Sequence, residues 1–277
     1  MNKDSITARL RNKAKDLNIN YNLALTQFFF DEFLRLLSQS KYKENFMLKG
    51  GMLLTYSLGV QNRTTQDIDF LVKGINLKPE NINVILESII SDVDQSHAWF
   101  EIIGEGEVIR SDDDYGGLRF RIIGHLSNIR IPFALDIATG DPVYPESVEE
   151  KYHPILGDEF DLKFYPIESV LSEKLHTILT RAENNSRSKD FYDIYTILNR
   201  KSEEINFETM KIAVFLTFKY RKTTISKEGS LKVVELIKSN VAMRDRWKRY
   251  QKKNPYAKGL NFDLVIDEIN KLIEEVM

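Results

Sequence analysis

Residues 46–72, FMLKGGMLLTYSLGVQNRTTQDIDFLV, constrain the fold more than any other part of the chain. Phe46 to Lys49 is an apolar, strand-like run that leads into Gly50-Gly51. Two glycines after a strand permit a turn, and a close approach to it, that side chains obstruct. A short helix or turn to Leu58 follows, and then a second strand, Asp67 to Val72. Residues i and i+2 of a strand share a face, so Asp67 and Asp69 project together. Two parallel carboxylates repel unless a positive charge sits between them, and a divalent cation is the usual answer. A helix starting at the glycines aims its first N–H groups at an anion such as phosphate. Lys49 adds a cation at the same place, while Arg63, Thr64 and Thr65 either reach that pocket or cap the acidic strand.

The elements around this stretch read as follows. Residues 3–45 form helices, the second running from Tyr21 to Leu37, with Phe28-Phe29-Phe30 as core packing. Residues 79–95 form an amphipathic helix that starts at Pro79 and carries Ile82, Ile85, Leu86, Ile89, Ile90 and Val93 on its apolar side. Three strands follow at 99–109, 117–124 and 130–138. Asp112-Asp113-Asp114 reads as a solvated turn between the first two. In the third, Phe133, Leu135 and Ile137 share one face and Ala134, Asp136 and Ala138 the other. A carboxylate between two alanines leaves an open face. Asp136 is therefore either a third member of the acidic site or a solvated Asp on an edge strand.

Gly140, Asp141-Pro142, Pro145, Pro154 and Gly157 mark a boundary between two domains, 1–150 and 151–277. Beyond it the pattern is almost entirely helical. A helix at 167–184 puts Leu171, Leu175, Ile178 and Leu179 on one face and Lys174 with Arg181 nearly in line. A helix at 188–199 turns Phe191, Ile194, Tyr195 and Leu198 inward and leaves Lys189, Asp190 and Asp193 outside, with Lys189–Asp193 spaced as a surface ion pair. Helices at 206–220, 230–246 and 261–276 complete the chain. The run from Arg244 to Lys253 mixes cations with Trp247 and Tyr250. Contact with a phosphate backbone plus base stacking requires that mixture, and a solvated helix end shows it too.

Charge divides along the same line. Residues 1–150 hold 16 basic and 22 acidic side chains, a net of −6, and residues 151–277 hold 23 and 19, a net of +4. An acidic half suits cations and a more basic half suits polyanions. With no cysteine, disulfides and thiolate metal sites are excluded. His97, His125, His153 and His176 are scattered, without the spacing of a zinc site or a triad, and no Walker-type phosphate loop or nucleophile elbow is present. No stretch approaches 18 apolar residues and the first residues lack a signal-like apolar core, so a cytoplasmic protein without membrane contact is expected.

Aspartate oxygens beside a glycine turn suit metal-assisted phosphoryl or nucleotidyl transfer, with Mg²⁺ or alternatively Mn²⁺ as the ion. Gly50-Gly51, followed after a short segment by Asp67-Ile68-Asp69, resembles the signature of the DNA polymerase β-type nucleotidyltransferase superfamily. Four pieces in order resemble the AbiEii/AbiGii toxin family: LKGGMLL at 48–54, RTTQDIDF at 63–70, SEKLHTILTR at 172–181 and RSKDFYDIY at 187–195. The resemblance implies an α+β, bilobed protein: a nucleotidyltransferase domain with a mixed sheet and flanking helices, then a helical C-terminal domain. It also implies a toxin of a type IV-like toxin–antitoxin pair in abortive infection. Such a toxin moves a nucleotide from a nucleoside triphosphate to an RNA, the 3′ end of tRNA in some relatives, and has an antitoxin partner. Carried over, Gly50 and Gly51 form the triphosphate turn, with Lys49, Arg63, Thr65 and Arg181 as further nucleotide-binding residues. Asp67 and Asp69 bind metal, Asp136 matches the superfamily's third carboxylate, and Lys174, Lys189 and Asp190, the last as a base, complete the catalytic set. Met52 departs from the family, where Ser or Thr often follows the glycines. Two other readings remain: an inert nucleotide- or RNA-binding module, and a kinase-like phosphotransferase on the same metal site.

Overall fold

The computed structural model describes residues 3–91, 98–109 and 116–277. Asp112–Asp114, Val93 and His97 lie outside the described residues. Two compact units emerge: residues 1–141 with 148–165, and residues 142–147 with 166–277.

The first unit begins with two helices, α1 (Lys3–Asp16) and α2 (Tyr21–Gln39). Asn20 starts α2 by accepting from the Leu23 N–H, a cap worth about 1 kcal/mol. Strand β1 (Phe46–Lys49), helix α3 (Gly50–Leu58) and strand β2 (Asp67–Val72) occupy the glycine–aspartate stretch with the expected bounds. Helix α4 (Pro79–Ile90) ends earlier than its apolar spacing predicts. Then come β3 (Trp99–Ile109), β4 (Gly117–Leu126), β5 (Ile129–Ala138), β6 (Val148–Tyr152) and β7 (Phe160–Phe164). The strands form one mixed sheet in the order β3-β4-β5-β2-β1-β7-β6. The β2–β5 and β1–β7 pairs are parallel, and the other pairs are antiparallel.

Strands β6 and β7 are absent from the sequence expectation, which placed a helical domain from residue 151. β6 is the edge of the sheet, and only Tyr152 of its VEEKY is buried. Charged residues keep an edge from pairing with other chains, and they also erase the apolar alternation by which strands are read.

Helix α2 supplies the core of this unit. Phe28, Phe29, Phe30 and Phe33 are each at most 2% exposed. Phe30 meets Phe133 of β5 edge-to-face at 5.2 Å, and Phe33 packs on Phe70, Phe100 and Phe133. Alternation along the strands does the rest: Ile68, Phe70, Leu135 and Ile137 are buried beneath the helix, which turns the aspartates between them to the opposite face. Asp31 of α2 is a buried polar exception. It accepts from the Tyr152 hydroxyl, the Ile155 N–H at 2.6 Å and Gln27 at 2.7 Å, tying the end of β6 to the helix. Burial pushes its carboxyl up to about 7, with the three donors working against it.

The second unit is helical: α5 (Ile167–Arg181), α6 (Ser188–Arg200), α7 (Phe207–Tyr220), α8 (Lys227–Ser239), α9 (Val241–Lys253) and α10 (Phe262–Val276). Its last four helices start on Asn206, Ser226, Asn240 and Asn261, whose side chains each accept a first-turn N–H. One of these caps corrects the sequence reading. The expected helix 230–246 is two helices, because Asn240 adopts an extended conformation and bonds the Met243 N–H. In α10, Val265, Ile266, Ile269, Leu272 and Ile273 recur at helical spacing and are all buried. Among the described residues no helix is long and apolar enough to cross a membrane.

Candidate active site

The glycine turn and the acidic strand meet because β1 and β2 are antiparallel neighbours. Their register pairs Lys49 with Asp69, and the parallel β2–β5 register pairs Asp69 with Asp136. On β4, Arg119 stands opposite Asp136. One row across four strands therefore reads Arg119, Asp136, Asp69, Lys49, with Asp67 two residues from Asp69 on the same face.

Each aspartate is held. Asp67 accepts from the Thr65 hydroxyl, and Asp69 accepts from the Gly51 N–H at 3.0 Å through Oδ2. That N–H opens α3, so the carboxylate also lies at the positive end of a helix. Asp136 accepts a two-pronged bond from Arg119: Nε to Oδ1 at 2.7 Å and a terminal nitrogen to Oδ2 at 2.6 Å. One ligand oxygen from each of Asp67, Asp69 and Asp136 lies within 4.8 Å of the others. Three carboxylates converging on one point is the donor set of a hard divalent cation, so these residues fit the metal that the sequence pattern implies. The bonds to Asp136, together with the fields of Asp136, Asp67 and Asp69, hold the Arg119 guanidinium above its ordinary value despite partial burial.

The glycines are required by contact as well as by conformation. Gly50 has φ +61°, and a Cβ there falls 2.1 Å from Asp69 Oδ2. A Cβ on Gly51 falls 2.4 Å from Thr65 Oγ1. Both positions are closed to side chains by the residues that orient the carboxylates.

Two further residues of the motif, Lys49 and Arg63, are engaged by the first unit itself. Lys49 is 7% exposed and bonds Asp141 at 2.7 Å, with its ammonium 4.7 Å from the centre of the Tyr165 ring. Arg63 is 4% exposed and donates to the Thr64 carbonyl. Both are engaged by neighbours within the first unit, Lys49 from the same face of the sheet as Asp69. Met52 is fully buried and receives Gln27 at its sulfur, so the residue after the glycines faces the core.

In the helical unit, Lys174 of α5 bonds Asp190 at 3.0 Å and Asp193 at 2.7 Å, both on α6 and both at most 1% exposed in their side chains. Arg187 joins Asp190 at 2.8 Å. This corrects two sequence expectations. Asp190 and Asp193 are interior, and the partner of Asp193 is Lys174, not Lys189. Burial pushes the Asp190 carboxyl up, but Lys174 and Arg187 together overcome it and bring it down to about 2. A carboxylate held that low is a weak proton acceptor at neutral pH, which favours charge balance over the base role carried by the resemblance. Lys189 is half-buried and Arg181 is exposed. Trp247 and Tyr250 are not open stacking platforms: Trp247 is 3% exposed and donates to the Leu260 carbonyl, and Tyr250 packs on it and on Tyr256.

Arg119 and Arg187 were not singled out from the sequence, and Asp193 was read only as half of a surface ion pair. The spacing that puts Arg119 opposite Asp136 is a register, and register is visible only once strands are paired.

The family model described as nucleotidyl transferase AbiEii toxin, type IV toxin–antitoxin system, matches residues 32–268. The chain belongs to the AbiEii nucleotidyltransferase toxin family. It is a nucleotidyltransferase of the toxin type. Its fold is similar to that of a putative nucleotidyltransferase from H. pylori, with TM-score 0.54 and 12% identity over 93% of this chain and 96% of that one. It is similar also to JHP933 from Helicobacter pylori, with TM-score 0.52 and 13% identity over 90% of this chain and 88% of that one. No curated protein matches the sequence.

Two outcomes are expected for this AbiEii family member. Gly50→Ala should displace Asp69 and lower nucleotidyl transfer about a hundredfold, because a shift near 1 Å costs that much. It should do so with a stability loss of only about 1–2 kcal/mol from the left-handed backbone. Steady-state rates beside a urea unfolding curve separate the two effects. Lys174→Met removes the ammonium shared by two buried carboxylates, leaving Asp190 with Arg187, and should destabilise the helical unit by about 3 kcal/mol, read as a lowered denaturation midpoint at pH 7.

Proposed function

We propose that this chain transfers a nucleoside monophosphate from a nucleoside triphosphate to an RNA hydroxyl, the 3′ end of tRNA, with Mg²⁺ or Mn²⁺ held by aspartates. The convergence of Asp67, Asp69 and Asp136 next to a side-chain-free turn carries this reading. When bound, the ion neutralises triphosphate charge and lowers the pKa of the attacking hydroxyl. The chain's own part is placement. The Gly51 N–H and the Thr65 hydroxyl fix the orientation of Asp69 and Asp67, and the bare glycine backbone lets these residues pack against the start of α3, whose N-terminal end favours an anion. Lys49, bonded to Asp141, and Arg63, bonded to the Thr64 carbonyl, hold the two ends of that segment.

In the helical unit, Arg181 and Lys189 are assigned to contacts with polyanionic substrate. Lys174 and Asp190 keep the α5–α6 pair in register for them. The acceptor is assigned on charge. The exposed side of α9 and the residues after it carry Lys248, Arg249, Lys252, Lys253 and Lys258, and Asp245 is the acidic residue between Val241 and Leu260. Such a face tracks a phosphate backbone without base stacking. The type IV toxin–antitoxin setting of the family supplies the remaining partner, an antitoxin, and a cytoplasmic place of action.

Incubation with each of the four α-³²P-labelled nucleoside triphosphates, Mg²⁺ and total tRNA should label the RNA. Asp69→Ala should remove the signal by at least about a hundredfold. Label delivered from the γ position instead identifies a kinase-type transfer and overturns the reading. For the acceptor, replacing Lys248, Arg249 and Lys252 with Gln should weaken RNA binding and flatten the plot of log affinity against log salt by about three. Nucleotide affinity should be unchanged.

A further inference from the structure

The reading above leaves Arg119 without a task. Asp136 is one of three candidate metal ligands, yet both of its oxygens already accept from a fixed cation, at 2.7 and 2.6 Å. A two-pronged guanidinium–carboxylate bond is among the stronger polar contacts a protein makes. Here it is part of the sheet, since Arg119 and Asp136 are register partners on neighbouring strands. The Asp136 side chain is sheltered at 11% exposure, whereas Arg119 is 41% exposed.

Charge counting gives the consequence. Three carboxylates carry −3, and Arg119 returns +1, leaving −2, which a single divalent ion balances. Sites with two ions hold them about 3.5–4 Å apart. A second ion on Asp136 would sit beside the guanidinium, where two cations repel strongly in a partly dry site. Two of the five guanidinium N–H donors are used on Asp136, and the exposed edge carries the rest toward solvent. Oxygens of a triphosphate can accept hydrogen bonds there, where a second metal ion would otherwise coordinate them.

We infer that Arg119 stands in for a second cation: Asp67 and Asp69 bind one divalent ion, and Asp136 serves to hold the guanidinium beside it. Arg119 thereby becomes a substrate-facing residue of the site and Asp136 a positioning residue. The inference rests on the metal-dependent reading proposed above.

Mn²⁺ binding to the full chain, without nucleotide or RNA, tests it by electron paramagnetic resonance and calorimetry. The wild type should bind about one Mn²⁺ and Asp69→Asn none. Asp136→Asn should keep about one, because the ion does not depend on it. Arg119→Gln, which uncovers Asp136, should raise the count to about two, and Arg119→Lys should hold it at one. Two ions on the wild type, falling to one in Asp136→Asn, overturn the inference and leave the metal-dependent reading intact. Arg119→Gln staying at one overturns it as well. A wild type that binds no Mn²⁺ overturns both readings. If Arg119→Gln does not fold, the wild-type and Asp136→Asn counts decide the matter alone.

Discussion

The parallel pairing of β2 with β5 sets Asp69 beside Asp136, and the rest of the site follows from that register. A slip of one residue turns every side chain of a strand to the other face. Applied to β2, it would bury Asp67 and Asp69 under α2 and expose Ile68 and Phe70. The cost of burying unpaired carboxylates and that of exposing the apolar side chains act together, so the register is specified from both faces of the sheet. The phenylalanines of α2 thus position the acidic site without touching it. They fix which side of β2 and β5 faces the core, and the aspartates occupy what is left.

On that frame the polar contacts are ordered by mutual exclusion. Gly50 lies so close to Asp69, and Gly51 to Thr65, that neither position accepts a side chain. The turn therefore approaches the carboxylates through backbone alone, and its first helical N–H serves as a donor to Asp69. The lysine at the head of the turn is used differently from what its sequence position suggests. It is buried against Asp141 and the Tyr165 ring, where it fastens the turn to the end of the first unit's chain. The helical unit repeats the pattern, with Lys174 bonded to two buried aspartates. In both places a conspicuous lysine in a family motif is committed to carboxylates of its own unit.

Much of the acidic stretch was legible in advance. Strand, glycine turn, short helix and strand follow from local composition, and i, i+2 spacing puts Asp67 and Asp69 on one face whatever the surroundings. The face of β5 that carries Asp136 was legible for the same reason. Two of the misreadings were decided by partners outside the local pattern. β6 is a polar edge strand held by pairing with β7. The Asn240 cap is local, reaching the Met243 N–H three residues on, and a continuous apolar spacing hides it. Asp190 and Asp193 look like a solvated face until Lys174 and Arg187 are brought against them.

By itself the sequence determined the turn, the acidic strand, the helical character of the second half and the family, since each is a matter of local periodicity and residue order. Tertiary structure alone decided that Asp136 joins the other two aspartates, that Arg119 occupies it, and that Lys49 and Lys174 are paired with carboxylates of their own units. The physical reason is that charge is cheap at the surface and costly when desolvated. What a buried or half-buried ion does is therefore fixed by whichever counter-charge the strand register or helix packing delivers to it. No spacing within the 277 residues encodes that pairing.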